Sequence, residues 1–390
     1  MSDNFCALPW IGIHAWPDGS VFPCCMYNSK VPLGNLNHHT VEEILHNDEV
    51  TKLRQELLDN RQPLGCKRCY ELEESGVTTL RQSTNINNIY ADDINKIKTE
   101  RTVKLLNTKF IDIRFSNICN FKCRTCGPEL SHKWGAEMPA IKGTPDPGII
   151  QIPREKFWEF YERALETVEE ITFAGGEALM QEEHYATLNK LVEIGRTNIK
   201  IRYTTNLSTL KYKQYDLFET WKQFSDIELY ASLDDSGLRA EYLRKGTDWD
   251  KIEENRLRLK DLSGIKFFIT PTISLFNVWH FPDFQQDWIN RGLLDINATR
   301  LNILTWPPRH QANLLKNKDV VIEKWNAHIE WLKQQGVHDA NQYQSVIEFL
   351  SKSHDNRAAL IEDFYTVNNK VDLVRDEKLF EVFPELKDQL

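Results

Sequence analysis

Residues 110–126 read FIDIRFSNICNFKCRTC, a β-rich run that passes directly into three cysteines spaced C-x3-C-x2-C. Comparable β-rich runs recur at 170–176 (EITFAGG), 199–206 (IKIRYTTN), 227–235 (IELYASLDD), 265–274 (IKFFITPTIS) and 299–306 (TRLNILTW). Helical patterns fall between them, with expected starts at Pro153, Gln181, Leu210, Asp250, Pro282 and Asp319. Six strand–helix alternations predict an α/β fold whose parallel sheet is built with right-handed crossovers, either open and doubly wound or curled into a partial barrel. In both arrangements chemistry gathers at the C-terminal ends of the strands, which is where Cys119, Cys123 and Cys126 fall.

The bulk composition narrows the class. The 390 residues carry 48 Lys plus Arg against 57 Asp plus Glu, a net charge of −9, and are 41% hydrophobic and 27% charged. Such a chain can bury a core, and its acidic balance disfavours a broad grip on nucleic acid or anionic lipid. No apolar run approaches the ~18 residues of a membrane span. The opening MSDNFCALPWIGIHAW lacks a basic stretch followed by a clean apolar one. A soluble cytoplasmic protein is expected.

All eight cysteines lie before residue 127: Cys6, Cys24, Cys25, Cys66 and Cys69, then the triplet. Clustered thiols in a reducing compartment suggest metal rather than disulfides. Three thiolates within eight residues can converge on one centre. They are one fewer than a closed iron–sulfur or structural zinc site uses, so one position stays open for chemistry. A zinc knuckle that borrows His132 is the alternative.

The triplet resembles the signature of the radical S-adenosylmethionine (SAM) enzymes, in which three cysteines hold a [4Fe–4S] cluster and SAM chelates the fourth iron. Later strand ends resemble that family in order. Gly175-Gly176-Glu177 is similar to its GGE turn, where the backbone approaches SAM. Asn206, Ser232 and Asp234 are similar to positions that face the ribose and methionine, and Arg244 in YLRKG to an arginine that pairs the SAM carboxylate. Two residues depart from the pattern: Thr125 stands where an aromatic often approaches adenine, and Ala178 where proline is common. The resemblance implies a partial (β/α)6 TIM-type barrel over 108–310, followed by a helical extension over 311–390.

The first seventy residues carry their own pattern. Asp18-Gly19 is a hairpin turn signal that folds the strand of Ile11 and Ile13 onto that of Val21 and Phe22, bringing Cys6 and Cys24 together. Thr40 with Glu43 is a capping box for a helix running from Val41 to about Leu58. Cys66-Lys67-Arg68-Cys69 can complete a four-thiolate site. The spacing resembles the auxiliary iron–sulfur modules called twitch or SPASM domains, placed here before the barrel instead of after it. A small domain over 1–75, a β-hairpin plus helix, is therefore expected, with Cys6, Cys24, Cys66 and Cys69 as ligands and structural zinc as the alternative metal. A polar linker over 76–107, partly helical at 100–106, joins it to the barrel. Cys25 is left over as a substitute ligand for Cys24, a hydrogen-atom donor or, most in keeping with free cysteines, a buried thiol.

Taken together, the resemblance implies reductive cleavage of SAM to a 5′-deoxyadenosyl radical, hydrogen abstraction from substrate, and an auxiliary [4Fe–4S] cluster that takes an electron from the substrate radical. Asp112, Arg114, Asp234 and Asp235 are the charged residues expected at the barrel mouth, as candidates for the proton acceptor of such a step, with an ion pair in a sheet layer as the alternative for each. The substrate is then a small molecule, a sugar-type alcohol or amine, or a peptide, and a reductase of flavodoxin or ferredoxin type supplies electrons. A peptide maturase forming C–C or C–S cross-links is a second reading. A zinc-stabilised, non-catalytic binding protein is a third.

Overall fold

The computed structural model describes residues 3–74, 78–105, 107–337 and 339–390. The chain divides into two compact units, the first formed by residues 1–117, 149–203 and 215–227, the second by 118–148, 204–214 and 228–390.

The first unit is organised on a mostly parallel sheet. Its strands are β1 (Gly12–Ala15), β2 (Ser20–Phe22), β3 (Gly34–Asn35), β4 (Phe110–Ile113), β5 (Glu170–Phe173) and β6 (Lys200–Thr205), in the order β3-β2-β1-β4-β5-β6. β4, β5 and β6 are parallel and in register, with Asp112 opposite Thr172 and Phe173 opposite Tyr203. Ile111, Ile171 and Ile201 are fully buried along this ladder, which matches the near-continuous apolar reading of strands covered on both faces. The helix Arg154–Ala164 begins at Pro153 and the helix Glu182–Glu193 at Gln181, as the sequence predicts. Phe115, Phe157 and Tyr161 stack between helix and sheet.

The Asp18-Gly19 hairpin forms, pairing His14 with Phe22 and Ala15 with Val21. Its first strand does more than the sequence predicts. β1 lies parallel to β4, Gly12 opposite Phe110 and His14 opposite Asp112, so the segments expected as separate domains over 1–75 and 108–310 share one sheet. The physical reason is the edge of β4: its unpaired N–H and C=O groups need a partner, and β1 supplies them.

Two helix expectations change. The helix expected from Val41 to Leu58 is two, Val41–Leu45 and Asp48–Leu58. The Thr40–Glu43 capping box opens the first, but the Asn47 side chain accepts from the Val50 amide and starts a second. In the linker, the helices are Leu80–Asn85, opened by a Thr79–Gln82 capping box, and Ala91–Glu100, which buries Ile94 and Ile97 and stops at Arg101 in a left-handed conformation. Helix thus ends at Glu100, where the expected one began. Residues 75–77, where a boundary was expected, and Leu106 lie outside the described residues.

The second unit holds most of β7 (Asp226–Ala231), its neighbour β8 (Ile265–Ile269), and the helices Trp249–Leu259, Phe281–Asn290, Lys318–Gln334, Asn341–Ser351 and Arg357–Arg375. The strand expected at 299–306 is only Asn302–Ile303, parallel to Thr272–Ile273. Near Leu210, where a helix was expected to start, the chain instead forms the short strands Lys211–Tyr212 and Tyr215–Asp216 before the short helix Leu217–Trp221. The 311–390 extension is helical as expected. No helix among the described residues is long and apolar enough to cross a membrane.

The cap at Asn47 gives a stability test. Asn47→Ala removes both the cap and the bond from its amide to the Leu33 carbonyl, and should cost about 1–2 kcal/mol. The expected readout is a lower urea midpoint with an unchanged slope.

Candidate functional site

In the second unit the triplet lies on a short ribbon. Lys122–Cys123 pairs antiparallel with Arg244–Lys245, placing Arg244 opposite Cys123. The ribbon turns at Gly246, whose φ of +109° and approach to Asn120 and Phe121 exclude a side chain: a Cβ there would stand 2.9 Å from the Asn120 carbonyl oxygen. The Cys119 amide donates to His132 Nδ1 at 3.2 Å, and the Phe121 amide donates to Cys119 Sγ at 3.4 Å. That ring nitrogen of His132 is therefore engaged in holding the loop.

Arg244 donates through Nε and Nη2 to both oxygens of Asp234, at 2.8 and 3.1 Å, and through Nη1 to Cys123 Sγ at 3.7 Å. The guanidinium that the resemblance assigns to the SAM carboxylate thus spends most of its fork on a carboxylate of the protein itself. Burial raises the Cys123 thiol, and Arg244 partly offsets this. Burial, then the neighbouring Cys123, pushes Cys126 up to about 12. Asn206 donates to Asn120, the residue after Cys119, at 2.9 Å, and the Ser232 amide donates to the Thr205 carbonyl at 2.8 Å. Thr125 is half-buried.

Two of the three aspartates expected at the barrel mouth, Asp234 and Asp235, are already occupied. Asp234 holds Arg244 and accepts from the Thr272 amide at 2.8 Å. Asp235 accepts from the Ser236 amide and from Arg239 at 2.8 and 3.0 Å, and burial raises its carboxyl.

In the first unit, Cys6, Cys24, Cys66 and Cys69 share one electrostatic neighbourhood. Burial raises Cys24 well above the ordinary thiol value, and the charges of Cys6, Cys66 and Cys69 add to that rise. Cys66 is pushed up to about 12 by burial and then by Cys69. Among the described residues, no group of three or more His, Cys, Asp or Glu side chains closes into the shell of a single metal ion.

Cys25 turns to a different set. The Asp112 carboxylate is the first charged group to act on it, and Asp112 lies beside His14 in the β1–β4 ladder, His14 Nδ1 standing 3.2 Å from Asp112 Oδ1. Trp16 donates to His14 Nε2 at 2.8 Å, and Arg114 stacks on the Trp16 ring. The residue is exposed, not buried, yet the crowding of its sulfur by protein, followed by the Asp112 charge, raises the thiol. Burial would raise Asp112, but His14, Arg114 and Cys25 overcome it and hold the carboxyl at about 2. So acidic a group is a weak proton acceptor near neutral pH.

The glycine turn lies in this unit as well. Gly175 and Gly176 have φ of +74° and +43°. A Cβ on Gly175 would meet Arg114 Cβ at 2.5 Å, so Arg114 already fills the space that its lack of a side chain opens. Glu177 is buried and accepts from the Leu179 amide at 3.2 Å.

Sequence reasoning missed Arg124, Asn368, Asp372 and Glu377. Arg124 donates to all three from within the triplet. Its partners lie more than 240 positions away, and the only local sign is an arginine inside a buried cysteine loop.

Residues 6–70 match the SPASM family, described as an iron–sulfur cluster-binding domain. No curated protein matches the chain as a relative. Among solved structures, native anSMEcpe with bound AdoMet is 16% identical, with 58% of this chain and 60% of that one covered at a TM-score of 0.40. A structure of TYW1 with a lysine–pyruvate adduct bound is 13% identical, with 60% and 75% covered at a TM-score of 0.31. The chain thus spans about three-fifths of the first of these.

The His14–Asp112 pair gives a pH test. A carboxyl lowered to about 2 from its usual 3.8 contributes stability above about pH 4, and this is lost as pH falls through 2. Urea midpoints measured from pH 5 to 2 should fall less steeply for Asp112→Asn than for wild type, by up to one proton's worth, about 1.4 kcal/mol per pH unit.

Proposed function

We propose that this chain, whose residues 6–70 carry a SPASM-type iron–sulfur cluster-binding domain, is a radical SAM oxidoreductase. In this reading Cys119, Cys123 and Cys126 hold a [4Fe–4S] cluster with SAM on its open iron, and Cys6, Cys24, Cys66 and Cys69 hold an auxiliary [4Fe–4S] cluster. The observation that carries it is the division of seven of the eight cysteines into a triplet at a cation-backed ribbon and a set of four gathered in one electrostatic neighbourhood. The donor chemistry fits: thiols that burial keeps protonated when empty ionise when ferric or ferrous charge is delivered to them.

When bound, these groups supply the one-electron cleavage of SAM, hydrogen abstraction by the resulting 5′-deoxyadenosyl radical, and an acceptor for the substrate's electron. The protein's own residues orient and insulate. Arg244, fixed by Asp234, keeps a positive charge against Cys123. Gly246 lets the ribbon close on Asn120 and Phe121. Asn206 braces the residue after Cys119. Arg114, pinned between Trp16 and Gly175, is the side chain best supported for contact with a polar or anionic substrate group. The substrate is a small molecule, a sugar or a peptide, and a flavodoxin- or ferredoxin-type reductase supplies the electron.

Iron and zinc per chain after anaerobic reconstitution, with a 5′-deoxyadenosine assay under dithionite and SAM, test the reading. About eight irons in wild type should fall to about four in Cys119→Ala/Cys123→Ala/Cys126→Ala, and deoxyadenosine formation should vanish. Zinc without iron, and no SAM cleavage, would make the chain a zinc-stabilised binding protein instead.

A further inference from the structure

The triplet is held from a direction that its own sequence neighbourhood does not reveal. Arg124 sits between Cys123 and Cys126 with its side chain 2% exposed. Its amide donates to the Leu243 carbonyl at 2.8 Å and its Nε to the Tyr242 carbonyl at 3.1 Å. Nη1 donates to Asn368 at 2.6 Å, and Nη2 donates to Asp372 and to Glu377, the latter at 2.6 Å. The guanidinium lies 3.6 Å from the Tyr242 ring centroid. Every nitrogen of the fork is used.

The three acceptors belong to one device. Asn368 and Asp372 lie on the helix Arg357–Arg375, which stops where Asp376 adopts a left-handed φ of +52°. The reversal brings Glu377 round, its amide donating to the Asp372 carbonyl at 2.9 Å, and Asp372 accepts from the Leu379 amide at 3.0 Å. Glu377 also pairs with Lys245 at 3.0 Å, so one carboxylate grips both strands of the cysteine ribbon. Tyr242 donates to Asp372 at 2.8 Å and accepts from Asn368 at 3.1 Å. A turn away along the helix, Arg375 donates twice to Glu137, at 3.0 and 2.8 Å, and Glu137 also pairs with Lys122. Between these polar points Val371 packs with Trp134 and Ile141, and Cys126 lies against that cluster.

Buried ion pairs seldom stabilise more than an apolar replacement would. Removing one partner, however, strands a charge, so such a network acts chiefly by permitting a single arrangement. We propose that the helix Arg357–Arg375 and its Asp376–Glu377 turn are a latch that holds the cysteine ribbon in its ligating conformation, with Arg124 as the positioning residue through which the latch acts. The proposal rests on the reading of the triplet as a cluster site for its consequence, but the latch itself is a property of the metal-free chain.

The test therefore begins without metal. In the reduced, metal-free full-length chain, thiol labelling resolved by peptide mass spectrometry should proceed about tenfold or more faster at Cys119, Cys123 and Cys126 in Arg124→Gln and Asp372→Asn than in wild type, since each loses a charge-assisted bond that must break for the ribbon to open. Arg124→Lys, which keeps the charge but not the fork, should fall between. Labelling of Cys6, Cys24, Cys66 and Cys69 should not change, which serves as the internal control. Glu377→Gln, the mildest change, carries the test if the others fail to fold.

Unchanged triplet labelling in folded variants would overturn the latch, as would equal acceleration at all eight cysteines. After reconstitution the same variants should lose about four irons per chain faster than wild type, and the EPR signal of the reduced triplet centre should shift, with partial rescue in Arg124→Lys. If wild type takes up no iron at the triplet while labelling follows the expected order, the latch stands and the radical SAM reading falls.

Discussion

The parallel ladder between Gly12–Ala15 and Phe110–Ile113 is the constraint from which the first unit follows. A strand edge inside an α/β protein must be paired or covered, and here the N-terminal hairpin does the pairing. Because the register is fixed at four consecutive residues, His14 can only fall opposite Asp112. That sets His14 Nδ1 3.2 Å from Asp112 Oδ1, whose charge reaches Cys25, and Arg114 stacks on Trp16 beside them. One residue earlier, Cys24 feels the charges of Cys6, Cys66 and Cys69. Adjacent cysteines thereby enter different environments, and one ladder sorts them.

The second unit solves a charge problem. Its cysteine ribbon is buried, and buried thiols resist ionisation. Arg244 is accordingly set against Cys123, Arg124 ties the loop between Cys123 and Cys126 to the rest of the unit, and both cations are themselves neutralised by carboxylates. Asp234, Asp372 and Glu377 meet that requirement. This gives Asp234 a reason to be buried without any part in proton transfer. The carboxylates arrive from one local strand end and from one distant helix, so the ribbon's electrostatics and its tertiary support are the same set of contacts.

Several features were legible because they depend on neighbours in the chain. The Asp18-Gly19 hairpin, the Thr40–Glu43 capping box, the helix start at Pro153 and the β-rich cores of the parallel strands are local in cause, and all appear. The break at Asn47 carried a local signal too, a capping residue three positions before Val50, but the apolar stripe on either side concealed it. The linker helices and the shrunken strand at Asn302–Ile303 were less legible, because packing and pairing partners decide whether such weak segments form.

Periodicity, turn residues and ligand count act over a few residues, so the alternating architecture, the cysteine spacings and the chemistry those spacings invite can be read from the chain alone. Packing alone settles that the N-terminal hairpin joins the sheet, that Cys25 feels the Asp112 charge while Cys24 feels those of the other thiols, that Arg244 is claimed by Asp234, and that Arg124 is gripped from 248 and 253 positions away. Those outcomes depend on which buried charges and strand edges meet. A buried charge takes whichever partner the fold brings within hydrogen-bond reach, and distance along the chain does not encode that.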